Sequence, residues 1–409
     1  MTDQERRLAA LRGLSAELAP QLRAVALDID RDPAGAGRYH GLEAYRLMHR
    51  CQTPAEYGGE PLRIGSRSYP AGSCLDYTTA LLELAKGDCG AVLAAPGPAL
   101  AGLAVSHLGS PEQQARFHRR LADGTSWSFF AITEPERGSD ASALATRLDR
   151  AGADRAGADR AGADRAGADR AGAGRGDDGR GDDGYLLTGT KRYIGSGERG
   201  GIGVVFARTG PGPLSIRAAL VERPLPGSTA QALEMTGLRG ARLAEIRFED
   251  VPIAAGDLLG AHLPPSRRGL WGAMRAFTSM RVQIAALALG AAAALAETVD
   301  AERPNAPGAA VLRARLAAAR ARTLAAAAQV DHDPDRGDLA AAAKLTAVRL
   351  GTGAARWAVR SLGRASMLDH PLLEKWYRDV HAFEFMEGTS NIQRVHVAEA
   401  YRNRVVRRG

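Results

Sequence analysis

The chain has 409 residues, of which 45% are hydrophobic, and a formal net charge of +8. That length can bury sizeable cores and fits two or three domains; the composition reads as soluble and globular, and no uninterrupted apolar run approaches the roughly twenty residues of a membrane-spanning helix. Arginine is scattered instead of blocked, which argues against nucleic acid and leaves coenzyme phosphates or an acidic carrier protein as partners for the positive balance. The N-terminus, Met1 to Arg7, is charged and lacks the apolar stretch of a signal peptide. Cys51, Cys74 and Cys89 make neither a metal-ligand spacing nor an even disulfide set, so they read as packing residues in a reducing cytoplasm, with no metal expected.

Leu8, Leu11, Leu18, Leu22 and Val25 keep helical spacing with charge between them, which predicts an amphipathic first helix. A loop rich in Gly, Pro and Asp is expected from Asp28 to Gly41. Helical signals return at Leu42 to His49, Tyr77 to Lys86, Ala99 to His107 and Glu112 to Leu121. Residues 1–125 therefore read as a helical domain, broken by the turn Pro54-Ala55-Glu56-Tyr57-Gly58-Gly59.

From Trp127 the period changes. The runs Trp127 to Thr133, Leu186 to Ile194, Ile202 to Arg208, Arg217 to Glu222 and Ala244 to Val251 are β-rich and separated by Gly and Pro. In the last, Ala244, Ile246 and Phe248 alternate with Glu245, Arg247 and Glu249, the pattern of a half-buried strand. Residues 126–260 thus form a β domain, in which Ala143 to Leu148 and Tyr185 to Ile194 are expected to pair as a hairpin. Between them run Ala-Gly-Ala-Asp-Arg repeats that decay into a Gly- and Asp-rich stretch. A Gly at every fifth position lowers helix stability by about 1 kcal/mol each relative to Ala, and nothing large and apolar is there to bury. Disorder is expected over 151–184.

Residues 261–409 return to helical period. Ile284, Leu287, Ala291, Leu295 and Val299 give one face, and Leu312, Leu316, Ala319 and Thr323 another. A third run, Leu339 to Leu362, is expected to be capped by Asp338, and a fourth should follow Thr389 and continue past Tyr401. Long helices with small residues on the facing sides suit a close-packed antiparallel four-helix bundle.

Two stretches carry chemistry. Glu384 and Glu387 stand among Phe383, Phe385 and Met386, where one helix ends and another is capped. A carboxylate in such surroundings loses hydration and its pKa rises toward the range of a general base, with Glu387 the stronger candidate. Thr133-Glu134-Pro135-Glu136-Arg137-Gly138-Ser139-Asp140 follows a strand; its hydroxyl, Pro-fixed turn and Gly suit a planar cofactor with polar edges.

Together these stretches resemble the acyl-CoA dehydrogenase family. Arg378-Asp379 and the run Glu387-Gly388-Thr389-Ser390-Asn391-Ile392-Gln393-Arg394 are similar to its C-terminal signature. Thr133 to Asp140 matches the family's Thr-Glu-Pro-x-x-Gly-Ser-Asp in full, and Thr188 to Ser196 is similar to its Asn-Gly-x-Lys-x-Trp-Ile-Thr-Asn. The resemblance implies an α+β fold with an N-terminal all-α domain, a middle β-barrel or sandwich domain and a C-terminal four-helix bundle, with FAD between the last two. It implies that Glu387 takes the α-proton of an acyl thioester while the β-hydrogen leaves as hydride to flavin N5, giving the trans-2-enoyl thioester. Phe130, Ile132 and Thr133 would then contact the flavin ring, and Gly138 and Ser139 would border the ring and the thioester arm. Tyr193 would stack in place of the family's Trp, while Gly195 replaces a Thr and so removes one hydrogen bond to the flavin. Thr389 and Asn391 complete that end of the cofactor set. Arg281, Met386 and Gly388 join Ser139 as the substrate set; Glu384 reads as structural, and Met280 closes the family's alternative position for the base.

The phosphate end departs from the family pattern. Arg303 survives, but Pro304 to Gly308 lacks the expected Phe and the later Gln, and the second segment reads Arg360-Ser361-Leu362-Gly363-Arg364. Arg360 or Arg364 is expected to compensate, because guanidinium suits phosphate oxygens. In the family these segments come from a neighbouring subunit, which implies a homodimer or homotetramer. The resemblance also implies an electron acceptor such as an electron-transfer flavoprotein. It leaves two alternatives to an acyl-CoA substrate: an acyl-carrier-protein thioester in a biosynthetic pathway, or a flavin-poor, non-catalytic partner subunit.

Overall fold

Thr2 starts the first helix by a reciprocal cap: its hydroxyl accepts from the Glu5 amide, and the Glu5 carboxylate accepts from the Thr2 amide. The computed structural model describes residues 2–64, 67–69, 72–136, 138, 140–151 and 184–406. Helix α1 (Asp3–Arg31) buries Leu11, Leu22, Val25 and Ile29. Ile29 continues the apolar stripe, so the helix runs past Asp28 and the loop expected there begins only at Asp32. Then come α2 (Glu43–Gln52), a small hairpin of β1 (Leu62–Ile64) and β2 (Arg67–Tyr69), and α3 (Cys74–Gly87). A helix the periodicity did not reveal, α4 (Cys89–Ala94), is too short to show a repeat; Asp88 caps it by accepting from the Ala91 amide. Helices α5 (Ala99–Leu108) and α6 (Pro111–Leu121) complete this part.

Among the described residues eight strands form one sheet: β3 (Ser128–Ala131), β4 (Arg147–Arg150), β5 (Tyr185–Ile194), β6 (Ile202–Arg208), β7 (Ile216–Glu222), β8 (Ser228–Ala232), β9 (Ala244–Ile253) and β10 (Leu258–Leu259). The order is β10-β7-β6-β4-β5-β9-β8, with β3 parallel to β6 off that path. Strand β8 was not legible because Ser228-Thr229-Ala230-Gln231-Ala232 has no large apolar side chain; it is held by its register with β9. The expected hairpin is present as β4 and β5, with Arg150 opposite Tyr185. The repeats between them lie outside the described residues.

The C-terminal part contains α7 (Leu270–Glu302), α8 (Ala309–His332), α9 (Asp338–Leu362), the short α10 (Ser366–Asp369), α11 (Pro371–Ala382) and α12 (Ser390–Val406). The N-cap of α9 is Gly337, not Asp338; Asp338 is the first helical residue, where its charge opposes the helix dipole. Helix α7 is long and apolar enough to cross a membrane, yet it is mostly buried inside the protein.

One core joins the two helical parts, with Leu22 and Leu84 packed in the same cluster as Ile284, Leu295 and Trp376. Lys375 ties them further, as its ammonium bridges Asp88 and Asp379, both at 2.6 Å. The sheet is covered on both faces. On one, Phe130, Val204 and Leu220 pack against Val105, Leu108 and Ala273; on the other, Phe129, Leu187 and Phe248 form a separate cluster. The three cysteines are free.

Candidate active site

The turn between α11 and α12 holds two consecutive residues in the left-handed region, Glu387 (φ 52) and Gly388 (φ 94). Glycine adopts that conformation readily, whereas a glutamate in it costs roughly 1–3 kcal/mol and persists only when its surroundings fix it. Three side chains from three helices do so. Arg281 Nε of α7 donates to the Glu387 carbonyl at 3.2 Å. Gln393 Nε2 of α12 donates to the carbonyls of Glu387 at 3.0 Å and Gly388 at 2.9 Å. Lys344 Nζ of α9 donates to the Gly388 carbonyl.

All those bonds go to backbone; among the described residues the Glu387 carboxyl has no hydrogen-bond partner. Loss of hydration lifts it from the ordinary 4.5 to about 7, against the pull of Lys344 and Arg281. Burial likewise brings the Lys344 ammonium down to about 8, while Glu387 and Glu384 oppose the drop. Arg281 is lowered for the same reason and supported by Glu387. Glu384 does something different, accepting from the Ser390 amide at 2.8 Å and the Ser390 hydroxyl at 2.6 Å and so capping α12. Met386 and Thr389 are partly buried in this turn, and exposed Asn391 accepts from Arg394. Met280, adjacent in sequence to Arg281, lines an apolar cavity with Leu81 of α3, Val92 and Leu93 of α4, and Leu287 of α7.

The Thr133 turn is built from beneath. Lys191, fully buried on β5, donates to the Ile132 carbonyl at 3.1 Å and to Glu134 Oε1 at 2.9 Å. Glu134 also accepts from the Ala145 amide and from the Thr146 amide and hydroxyl. Phe130 and Ile132 are buried, with Phe130 against Phe206 and Phe277. The Thr133 carbonyl accepts from the Arg192 amide, while its hydroxyl makes no hydrogen bond among the described residues. Two residues beyond buried Lys191, Tyr193 is 51% exposed at φ 60, and a Cβ added at Gly195 would meet only a Leu243 methyl, at 4.0 Å. An exposed aromatic ring and a free hydroxyl, at the ends of the two segments that Lys191 fastens together, fit an aromatic cofactor with polar edges. Gly138 is exposed, and Ser139 lies outside the described residues.

Arg303, Arg360 and Gly363 gather elsewhere, where α7 and α9 end. Arg303 donates to the Ser361 carbonyl, Gly363 takes φ 89, and Arg360 and Arg364 are exposed without an ion pair among the described residues. Arg360 follows Lys344 by sixteen residues on one helix, about 24 Å at 1.5 Å per residue. Within one chain, then, the phosphate candidates and Glu387 are held at opposite ends of α9.

Lys344 and Gln393 were not singled out as site residues from sequence. For Lys344 a signal exists: it shares a helical stripe with Ala340, Ala347 and Val348, so a cation falls on an apolar face. Gln393 lies inside the C-terminal motif, but only the turn geometry shows what it binds.

The family description "Acyl-CoA dehydrogenase, C-terminal domain" matches residues 307–401. The chain is 30% identical over 313 residues to an acyl-CoA dehydrogenase of Bacillus subtilis (strain 168), covering 72% of this chain and 73% of that one. To an acryloyl-CoA reductase (NADH) of Anaerotignum propionicum it is 28% identical over 396 residues, 92% and 90% of the two chains. Its fold is similar to that of butyryl-CoA dehydrogenase from Megasphaera elsdenii, with a TM-score of 0.73 and 23% identity over 98% of each chain.

Proposed function

Since the chain belongs to the acyl-CoA dehydrogenase family and has FAD as its cofactor, we propose that it desaturates an acyl thioester between its α- and β-carbons, with Glu387 as the base. The observation that carries this reading is the Glu387 carboxyl, without a hydrogen-bond partner and lifted to about 7. Near neutral pH a large fraction is ionised, and the same group is still basic enough to take a proton from carbon. When bound, FAD would supply the two-electron acceptor for the β-hydrogen. Thr133 and Tyr193 hold the ring, and the cavity beside Met280 takes the acyl chain. Thr389, Asn391, Met386 and Gly388 border the ring and thioester. Arg303, Arg360, Gly363 and Arg364 bind the diphosphate of a cofactor seated in a second copy of the chain, so the working unit is a homodimer or homotetramer. The electrons leave to an external acceptor of the electron-transfer flavoprotein class.

The test is anaerobic mixing of the yellow protein with a panel of acyl-CoA and acyl-carrier thioesters while flavin absorbance is followed. One thioester class should bleach the wild type, and Glu387→Gln should keep its flavin and stay yellow. A fully active Glu387→Gln variant rejects the reading, as does a purified protein that binds no flavin. A carrier-tethered substrate is the second reading, favoured by the net charge of +8; the same panel separates the two.

A further inference from the structure

Lys344 touches neither the Glu387 carboxyl nor any carboxylate by hydrogen bond, yet it is 1% exposed with its ammonium at the Gly388 carbonyl. Burying a lysine without a hydrogen-bonded counterion is costly. The charges around it are Glu387 and Glu384 in the turn and Arg281 on α7, and Arg281 in turn meets His396 of α12 at 3.2 Å. The ordinary roles of a lysine are thereby removed: it is not half of an ion pair, not a surface charge and not a helix cap. What remains is its effect on the turn that carries Glu387.

We infer that Lys344 is a positioning residue for Glu387: from the second turn of α9 it pins the left-handed Glu387-Gly388 turn through the Gly388 carbonyl, and its charge holds the base ionised in poorly hydrated surroundings. The inference rests on the reading of Glu387 as the base. Gln393 already donates to the same carbonyl, so the hydrogen bond alone is partly redundant, and the charge is the part that no neutral side chain replaces. Arg281 supplies a second positive charge from α7, but its Nε is committed to the Glu387 carbonyl and its other end to His396. Loss of the lysine charge therefore leaves Glu387 facing burial with one cation instead of two.

The experiment compares Lys344→Gln, which keeps a donor without charge, Lys344→Met, which keeps neither, and Lys344→Arg, which keeps both. The readout is the protonation of Glu387 itself, followed by infrared difference spectra of each flavin-loaded variant against the same variant carrying Glu387→Gln. Lys344→Gln and Lys344→Met should move the carboxyl titration and the rising limb of kcat/KM to higher pH by roughly one unit or more. Lys344→Arg should restore the wild-type position. Titration at the wild-type pH in a folded, flavin-loaded Lys344→Gln variant overturns the inference. If Lys344→Met does not fold, the Gln and Arg variants decide. An active Glu387→Gln enzyme would instead remove the base assignment while leaving the shifted titration intact, so the two failures are distinguishable.

Discussion

Lys191 Nζ lies 2.9 Å from Glu134 Oε1 with both side chains buried, and this contact joins the Thr133 turn to β5, the strand that carries Tyr193 near its end. Burial alone would raise the Glu134 carboxyl, but Lys191, Thr146 and Ala145 together hold it down at about 2. The ammonium shifts against its own charge, lowered by burial to about 8. The two shifts oppose one another in stability, so the pair as a whole is near break-even, whereas its disruption is not. Lys191→Met leaves an unpaired buried carboxylate and should cost about 3–5 kcal/mol. Denaturant unfolding measures that loss, and the flavin-to-protein absorbance ratio should fall with it because the Thr133 shelf loosens. An unchanged ratio would mean that the shelf is held without the pair.

The hairpin of β4 and β5 closes at its open end by the Ala151 amide donating to the Gly184 carbonyl at 2.9 Å, one step beyond the Arg150–Tyr185 pair. Loop-closure entropy grows only logarithmically with length, so a shorter connection between these ends costs the fold little. Deleting Ala151 to Arg175 should leave the unfolding midpoint and flavin content at wild-type values. Loss of flavin on this deletion would show that the repeats support the cofactor.

Much of the fold was legible because its signals are local: period 3.6 in the long helices, alternation in β9, the motif order from Thr133 to Gln393. What escaped depends on packing between distant segments. Lys344 meets the Gly388 carbonyl across 44 positions of sequence, and neither the Ala-rich run around it nor the motif around Glu387 states that α9 and α12 pack together. The Lys191–Glu134 pair was hidden differently, since both residues sit in recognisable motifs but their contact needs β3 and β5 side by side. Glu384 reads as structural from its sequence, yet its partner, the start of α12, follows only from the geometry of the turn.

Arg360 and Arg364 stand exposed at the end of α9 without an acidic partner among the described residues. If they replace the phosphate contacts that the missing Phe and Gln of the family pattern imply, Arg360→Ala with Arg364→Ala should weaken FAD binding by tenfold or more, roughly 1.4 kcal/mol or above. Titration of the apoprotein with FAD measures this, and because neither residue supports the core, thermal stability of the apoprotein should not change. Unaltered FAD affinity in the double variant would reject the role.

Glu384 and Glu387 are three positions apart and should fail in different ways. Glu384→Ala removes the acceptor for the Ser390 amide and hydroxyl, a cap loss of about 1 kcal/mol. Faster amide exchange in the first turn of α12 reports it. Flavin bleaching by substrate should persist at a reduced rate, since Glu387, the proposed base, is still present. Complete loss of bleaching with normal flavin content would mean that Glu384 shares the proton transfer.

Glu387 should also leave a mark on stability. Its folded-state value of about 7 lies above the ordinary 4.5, so between these values the folded chain holds a proton that the unfolded chain has released. Stability from this group is therefore fully present below about 4.5 and is lost as pH rises through about 7. At 1.36 kcal/mol per unit the shift amounts to about 3 kcal/mol, and partial solvent exposure of the residue reduces that to about 2. Glu387→Gln removes the titration, so the variant should be more stable than wild type by about 2 kcal/mol near pH 8, and the difference should shrink to nothing near pH 4. Chemical denaturation of the two flavin-loaded proteins at both pH values tests it, and the loss of stability that accompanies a poorly hydrated base is what a functional site demands. Equal stabilities near pH 8 would mean that the Glu387 carboxyl is as well hydrated as any exposed one, which would take away the physical ground for its acting as a base near neutrality.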